Sequence, residues 1–275
     1  MFNRIARSIA DQGGFKNALR KALRKPGAAI ESIRRMLTTN WQKLLFMNNN
    51  FQCYVDELNK DGFLDDKLKT LDEKFLTLQE KQVRGHAIVT GRMRALHAEL
   101  IYSLIRDRKP SRVIETGVCN GLSSSVILYA MDKNQKGELV SIDLPEFSDP
   151  EMNDDVFWEG KGGAVVPAGE QPGWLVPSQL RYRWFMEIGR SQDILENILR
   201  EKGPLDIFIH DSEHSYENQL FEFTRGYEAL KTGGVLIATD INWSDAFDDF
   251  WDEVKNTGAK CAFVDPSCAV VTKNT

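Results

Sequence analysis

Apolar residues recur along the chain with two periods, and the change from one to the other falls at Lys109-Pro110. Upstream, Leu64, Leu68, Leu71, Phe75 and Leu78, then Met93, Leu96, Leu100 and Leu104, repeat three and four residues apart, which predicts helices between about residues 64 and 107. Nearer the start, Phe2, Ile5 and Ile9, then Phe15, Leu19, Ala22 and Leu23, keep helical spacing, broken at Gly13-Gly14 and Pro26-Gly27. Downstream of Pro110, short β-rich runs alternate with helical stretches. Arg112–Thr116, Leu139–Asp143, Trp184–Ile188, Asp206–His210 and Val235–Thr239 read as strands, with helices near 122–132, 191–201, 214–230 and 244–255. Two closing runs, 260–264 and 269–273, flank Asp265-Pro266-Ser267 and predict a hairpin. Alternation of this kind, with right-handed crossovers, implies an α/β architecture: a doubly wound, mostly parallel seven-stranded sheet with an N-terminal helical extension. The division expected is 1–84 for the basic helical extension and 85–275 for the sheet domain. Residues 147–180, rich in Gly, Pro and acidic side chains, are too long for an ordinary connection and read as a lid or binding loop.

Composition narrows the class. With 275 residues, 42% hydrophobic and 10% aromatic, the chain can bury a large core. Its amino terminus lacks the apolar stretch of a signal peptide and no run is long enough to span a bilayer, so the expected location is cytoplasmic, with the inner face of the membrane left open. Cys53, Cys119, Cys261 and Cys268 show no zinc or disulfide spacing. The net charge of −5 conceals an asymmetry: residues 1–47 hold ten Lys or Arg against Asp11 and Glu31, leaving the rest of the chain at −13. An acidic body speaks against nucleic acid as a partner. The basic amphipathic stretch 1–47 fits peripheral contact with an anionic membrane, packing on the body, or a second subunit in a homo-oligomer.

The chemistry gathers where the predicted strands end. Glu115-x-Gly117-x-x-x-Gly121 follows the first strand and leads straight into a helix, yet neither GxGxxG nor GxxxxGK[ST] is present. Asp143 ends the second strand, where a carboxylate can accept both hydroxyls of a ribose. Asp211 and His214 follow the fourth strand. A histidine there can take a hydroxyl proton and a carboxylate can orient it or hold a cation. Asp240, ending the fifth strand with Asn242 beyond, could complete with Asp211 an oxygen-rich site for Mg²⁺. The plainer alternative makes Asp211 a helix cap, assisted by Ser212, with His214 packed on that helix. Trp174, Tyr216 and Trp243 offer ring faces to a sugar or planar substrate, or serve as anchors. His86 and His97, in the helical preface, are given no chemical role, and His210, on the opposite face of a regularly alternating strand, is secondary.

These residues resemble a known family. Glu115-x-Gly117-x-x-x-Gly121 with Val140-Ser141-Ile142-Asp143 looks like the first two cofactor motifs of the Rossmann-like class I S-adenosylmethionine-dependent methyltransferases. The segments 173–177 (GWLVP), 209–217 (IHDSEHSYE) and 233–240 (GGVLIATD) are similar to the subgroup of macrolide-sugar O-methyltransferases and cephalosporin-hydroxylase-like proteins. The resemblance covers about residues 85–272. It implies S-adenosylmethionine as cofactor, lined by Gly117 and Gly121, with Glu115 under its methionine end, Asp143 on its ribose, and Ser191 and Gln192 near its adenine. It also implies O-methylation of a hydroxyl on a sugar, glycan or small natural product. The chain departs from its relatives at Arg190, where many read Asp, and at Thr239, where metal-dependent ones carry a second acidic residue. Those departures leave open a non-catalytic binding or scaffold protein; a hydroxylase-like oxidoreductase has no dinucleotide fingerprint or iron triad to rest on.

Overall fold

The computed structural model describes residues 40–46, 50–78, 82–83, 86–153 and 163–274. The expected helices of residues 1–39 lie outside them. In chain order the elements are α1 (Trp41–Leu45), α2 (Phe51–Lys60), α3 (Phe63–Leu76), β1 (Gln82–Val83), β2 (His86–Ala87), α4 (Ala95–Arg108), β3 (Arg112–Thr116), α5 (Leu122–Asn134), β4 (Glu138–Asp143), β5 (Glu146–Phe147), β6 (Val165–Val166), β7 (Trp184–Ile188), α6 (Ser191–Lys202), β8 (Leu205–His210), α7 (Tyr216–Ala229), β9 (Leu230–Ala238), α8 (Ala246–Val254), β10 (Lys260–Asp265) and β11 (Cys268–Thr272).

Seven strands form one sheet in the order β10-β11-β9-β8-β3-β4-β7. β8 pairs parallel with β9 and β4 with β7, while β11 runs antiparallel to both β9 and β10. This is the doubly wound, Rossmann-like arrangement expected, closed by the predicted hairpin. The buried strands read as nearly unbroken apolar runs because helices cover both faces: Ile207, Phe208 and Ile209 of β8 and Val235, Leu236, Ile237 and Ala238 of β9 are buried.

The chain gathers into two compact units that do not follow chain order. One comprises the described residues of Met1–Asn49 with Arg112–Ile114 and Gln192–Thr275; the other comprises those of Asn50–Ser111 and Glu115–Ser191. In the first unit α7 and α8 bury an aromatic cluster, with Phe223 edge-on to Phe247 and Phe247 edge-on to Phe263. In the second, α4 packs between α2 and α5. Tyr102 and Arg106 of α4 both donate to the Glu57 carboxylate of α2, Arg106 Nε at 2.7 Å. These bonds, Arg106 foremost, hold the Glu57 carboxyl below its usual range.

The described part of the connection 147–180 is built rather than featureless. β5 and β6 pair parallel, Val89 bridges to Ala164, and 3₁₀ turns occupy 150–152 and 178–183. β9 begins five residues before the predicted strand, passing through Gly233 at φ +80°.

Candidate functional site

The second unit builds a glycine turn at the end of β3. Glu115 is buried, and its carboxylate accepts from the hydroxyls of Ser123, Ser124 and Ser141, at 3.0 Å and 2.6 Å for Ser123 and Ser141. Three hydroxyl donors from α5 and β4 make this acid a fixed hub beneath the turn. Gly117 (φ +85°) donates its N–H to the carbonyl of Ile142 at 2.9 Å, joining the ends of β3 and β4. Asp143 stands at that junction and accepts from the backbone N–H of Cys119 at 2.9 Å. Burial pushes the Asp143 carboxyl up to about 6, against the backbone N–H groups of Cys119, Val118 and Leu144, which pull it down. Gly121, at φ +83°, leaves no room for a side chain: a Cβ would stand 2.6 Å from the Gly173 Cα.

The resemblance gave Asn120 no part, yet it ties the turn together. Its amide donates to the carbonyls of Thr90 and Val165, each at 3.0 Å, and its oxygen accepts from the Trp174 indole N–H. Backbone bonds from Gly173 to Cys119 and from Leu175 to Asn120 lay the Gly173–Val176 segment directly over the turn. Trp174 is thereby an anchor. Nothing local in the sequence distinguishes Asn120, because its partners lie 30, 45 and 54 residues away.

Ser191 is buried at the start of α6, as expected for the residue opening that helix. Gln192, in the first unit, reaches Glu213 at 3.4 Å.

The first unit brings together Asp211, His214 and Asp240. Asp211 and Asp240 follow the parallel strands β8 and β9, and His214 turns back between them: its Nε2 lies 3.4 Å from Asp240 Oδ2 and 3.9 Å from Asp211 Oδ1. Burial lowers the proton affinity of His214, but Asp211, Asp240 and, more weakly, Glu222 outweigh it and leave the imidazole above its ordinary value. Thr239 Oγ1 donates to Asp211 Oδ1 at 2.6 Å and so steadies that carboxylate. Asp240 sits at φ +49°, a left-handed conformation uncommon outside glycine and concentrated at functional sites. Its carbonyl accepts from Gln219 Nε2 at 3.1 Å and from the Trp243 N–H at 3.0 Å.

The helix-cap alternative for Asp211 does not hold. Ser215 caps α7, accepting from the Asn218 N–H at 3.3 Å, and leaves Asp211 to the cluster. Beneath the loop lies a second polar set: His210 Nδ1 is 2.6 Å from Glu222 Oε2, and Ser212 Oγ donates to Glu222 Oε1 at 2.7 Å. His210 and Glu222 are fully buried, and the two histidine rings meet edge-on, 5.8 Å between centroids.

One carboxylate oxygen each from Asp211 and Asp240 and one His214 nitrogen lie within 4.8 Å of one another, close enough to share one cation. The carboxylates suit a hard ion such as Mg²⁺; the imidazole is a softer donor than Mg²⁺ selects.

Residues 114–241 match the family model described as a methyltransferase domain. The match takes in Glu115, Gly117, Gly121, Asp143, Ser191, Gln192, Asp211, His214 and Asp240. The fold is shared with an O-methyltransferase of Bacillus cereus solved with S-adenosylhomocysteine, 13% identical over 82% of this chain and 100% of that one, TM-score 0.51. It is shared also with the O-methyltransferase TomG of Streptomyces achromogenes, solved with S-adenosylmethionine and involved in tomaymycin synthesis, at 14% identity, 85% and 99% coverage and TM-score 0.50. A Klebsiella pneumoniae chain described as a candidate O-methyltransferase gives TM-score 0.53 at 11% identity, covering 85% of this chain and 99% of that one. No curated protein matches the sequence. No helix among the described residues is long and apolar enough to cross a membrane.

Proposed function

We propose that the protein is an S-adenosylmethionine-dependent O-methyltransferase acting on a hydroxyl of a sugar, glycan or small natural product. The observation that carries this reading is the placement of His214 between Asp211 and Asp240, within the segment 114–241 that matches a methyltransferase-domain model and also holds the Glu115–Gly121 turn and Asp143. The sulfonium supplies an activated methyl group; the chain's own residues bind, align and accept a proton. Gly117 and Gly121 admit the cofactor to the backbone, Asp143 takes the ribose hydroxyls, and Ser191 and Gln192 border the adenine. Glu115 keeps the turn in place through its three serine contacts.

His214 is the proton acceptor. The carboxylates at Nε2 favour a proton on that nitrogen, leave Nδ1 to receive the hydroxyl proton, and stabilise the imidazolium that results. Asp211 orients the ring. If Mg²⁺ takes part, Asp211 and Asp240 hold it, and its charge lowers the pKa of a bound hydroxyl.

Calorimetric titration with S-adenosylmethionine and S-adenosylhomocysteine, with and without Mg²⁺, tests the reading on the intact chain and on Asp143→Ala. Micromolar binding that disappears in the variant supports it. Absence of binding under every condition would overturn it in favour of a scaffold or oxidative role.

A further inference from the structure

Trp243 is half exposed, at 50%, although its neighbours Ile241, Asn242 and Ser244 are all buried. The loop that presents it is clamped. Ser244 Oγ donates to Gln219 Oε1 at 2.6 Å, Gln219 donates back to the Asp240 carbonyl, and Ile241 donates its N–H to the Ser267 carbonyl at 3.2 Å. A half-exposed indole held at a clamped turn, 5.3 Å between ring centroids from His214 and tilted 34°, is a platform beside the proposed proton acceptor.

The two segments that carry His214 and the platform have side-chain charge of one sign. Residues 210–219 and 239–252 hold eight acidic side chains (Asp211, Glu213, Glu217, Asp240, Asp245, Asp248, Asp249 and Asp252) and no Lys or Arg. At the rim, Tyr216 donates to Asp249 Oδ2 at 3.0 Å. Asp245 Oδ1, two residues from the indole, is shielded from solvent and has no hydrogen-bond partner among the described residues. An aromatic face attracts cations, and a field of carboxylates without bases repels anions.

We infer that the acceptor is a ring carrying a protonated amine, such as an amino sugar, which lays its face or its ammonium group on the Trp243 indole. This rests on the methyltransferase reading and specifies its substrate class. Anionic acceptors, those bearing a phosphate or carboxylate close to the reacting hydroxyl, are excluded by the same charges.

The test uses the full chain labelled with 5-fluorotryptophan, the Trp243 signal being assigned by its loss in Trp243→Phe. D-glucosamine, N-acetyl-D-glucosamine, D-glucose and D-glucuronate are titrated in turn with S-adenosylhomocysteine present. The expected result is a saturable shift of the Trp243 signal by glucosamine, about tenfold stronger than by the two neutral sugars, absent with glucuronate, and weakened in Asp245→Asn. Equal responses to all four sugars, a preference for glucuronate, or no shift with any of them would overturn the inference. Calorimetry with S-adenosylhomocysteine alone separates the cases: cofactor binding without glucosamine preference sinks only the acceptor class, and loss of cofactor binding sinks the reading beneath it.

Discussion

Asp143 and His214 carry opposite obligations at the scale of single residues. The Asp143 carboxyl titrates near 3.8 when unfolded and about 6 when folded. Between those values the unfolded chain is ionised while the folded one keeps its proton, so stability falls as pH rises through that window and stays lower above it. Asp143→Asn keeps an oxygen for the Cys119 N–H and removes the buried charge. We expect it to be more stable to unfolding than wild type at pH 8, by at most about 3 kcal/mol, and equally stable at pH 3.5. The same change leaves one acceptor oxygen where a ribose needs two, and S-adenosylhomocysteine affinity should fall about 10–100-fold by calorimetry. For His214 the raised proton affinity means that the favourable contact of imidazolium with Asp211 and Asp240 is present below the unfolded histidine value and is lost as pH rises through the folded one. A base must be neutral to act, so kcat should climb with pH through a value above that of an ordinary imidazole. Asp240→Asn should move that climb to lower pH, and His214→Ala should lower kcat about 10²–10⁴-fold with cofactor affinity unchanged. A pH profile of turnover that ignored Asp240→Asn would refute the role given to this pair.

At the scale of elements, the site depends on loops whose shape is set by distant partners. Asn120→Ala removes the bonds to Thr90, Val165 and Trp174 at once and leaves their backbone and indole groups unpaired. Urea unfolding should show a loss of about 2–4 kcal/mol. Gly121→Ala fails for a different reason, since its Cβ would enter the backbone of Gly173. The elements themselves were legible from periodicity: β3, β7 and the α6 start fall where the pattern put them, and the closing hairpin shifts by a residue. So was the Asp211, His214 and Asp240 cluster, because parallel strands deliver the residues just beyond their carboxyl ends to one edge of the sheet. Asn120 was not legible, and neither was the pairing of Glu222 with His210. Both depend on side chains that meet only after the chain has folded, and an asparagine after a cysteine or a glutamate inside a helix has no local mark. The helices α1 and α2 also escaped, since Phe51, Val55 and Leu58 give too short an apolar stripe to separate from the loop before it.

For the whole molecule, two units interleaved along the sequence mean that neither can be cut out as a continuous fragment; Glu115, Gly117, Gly121, Asp143 and Ser191 belong to one unit, Gln192 and His214 to the other. A ligand that binds only the folded chain therefore acts on a chain in which each unit depends on segments threaded through the other's sequence. Binding at about a hundred times the dissociation constant adds about 3 kcal/mol, which for a chain of this size raises the melting temperature by about 5–10 °C. We expect S-adenosylhomocysteine to give that rise in the intact protein and to give none in Asp143→Ala. Nicotinamide dinucleotides should give none in either, because Cys119 stands where the dinucleotide turn GxGxxG has the second glycine, the one that lets a pyrophosphate approach the backbone. Scanning calorimetry distinguishes the ligands without any acceptor being known. A rise produced by the nicotinamide dinucleotide and not by S-adenosylhomocysteine would transfer the same strand-end residues to hydride chemistry, with His214 and Asp211 then handling the proton of an alcohol under oxidation rather than one under methylation.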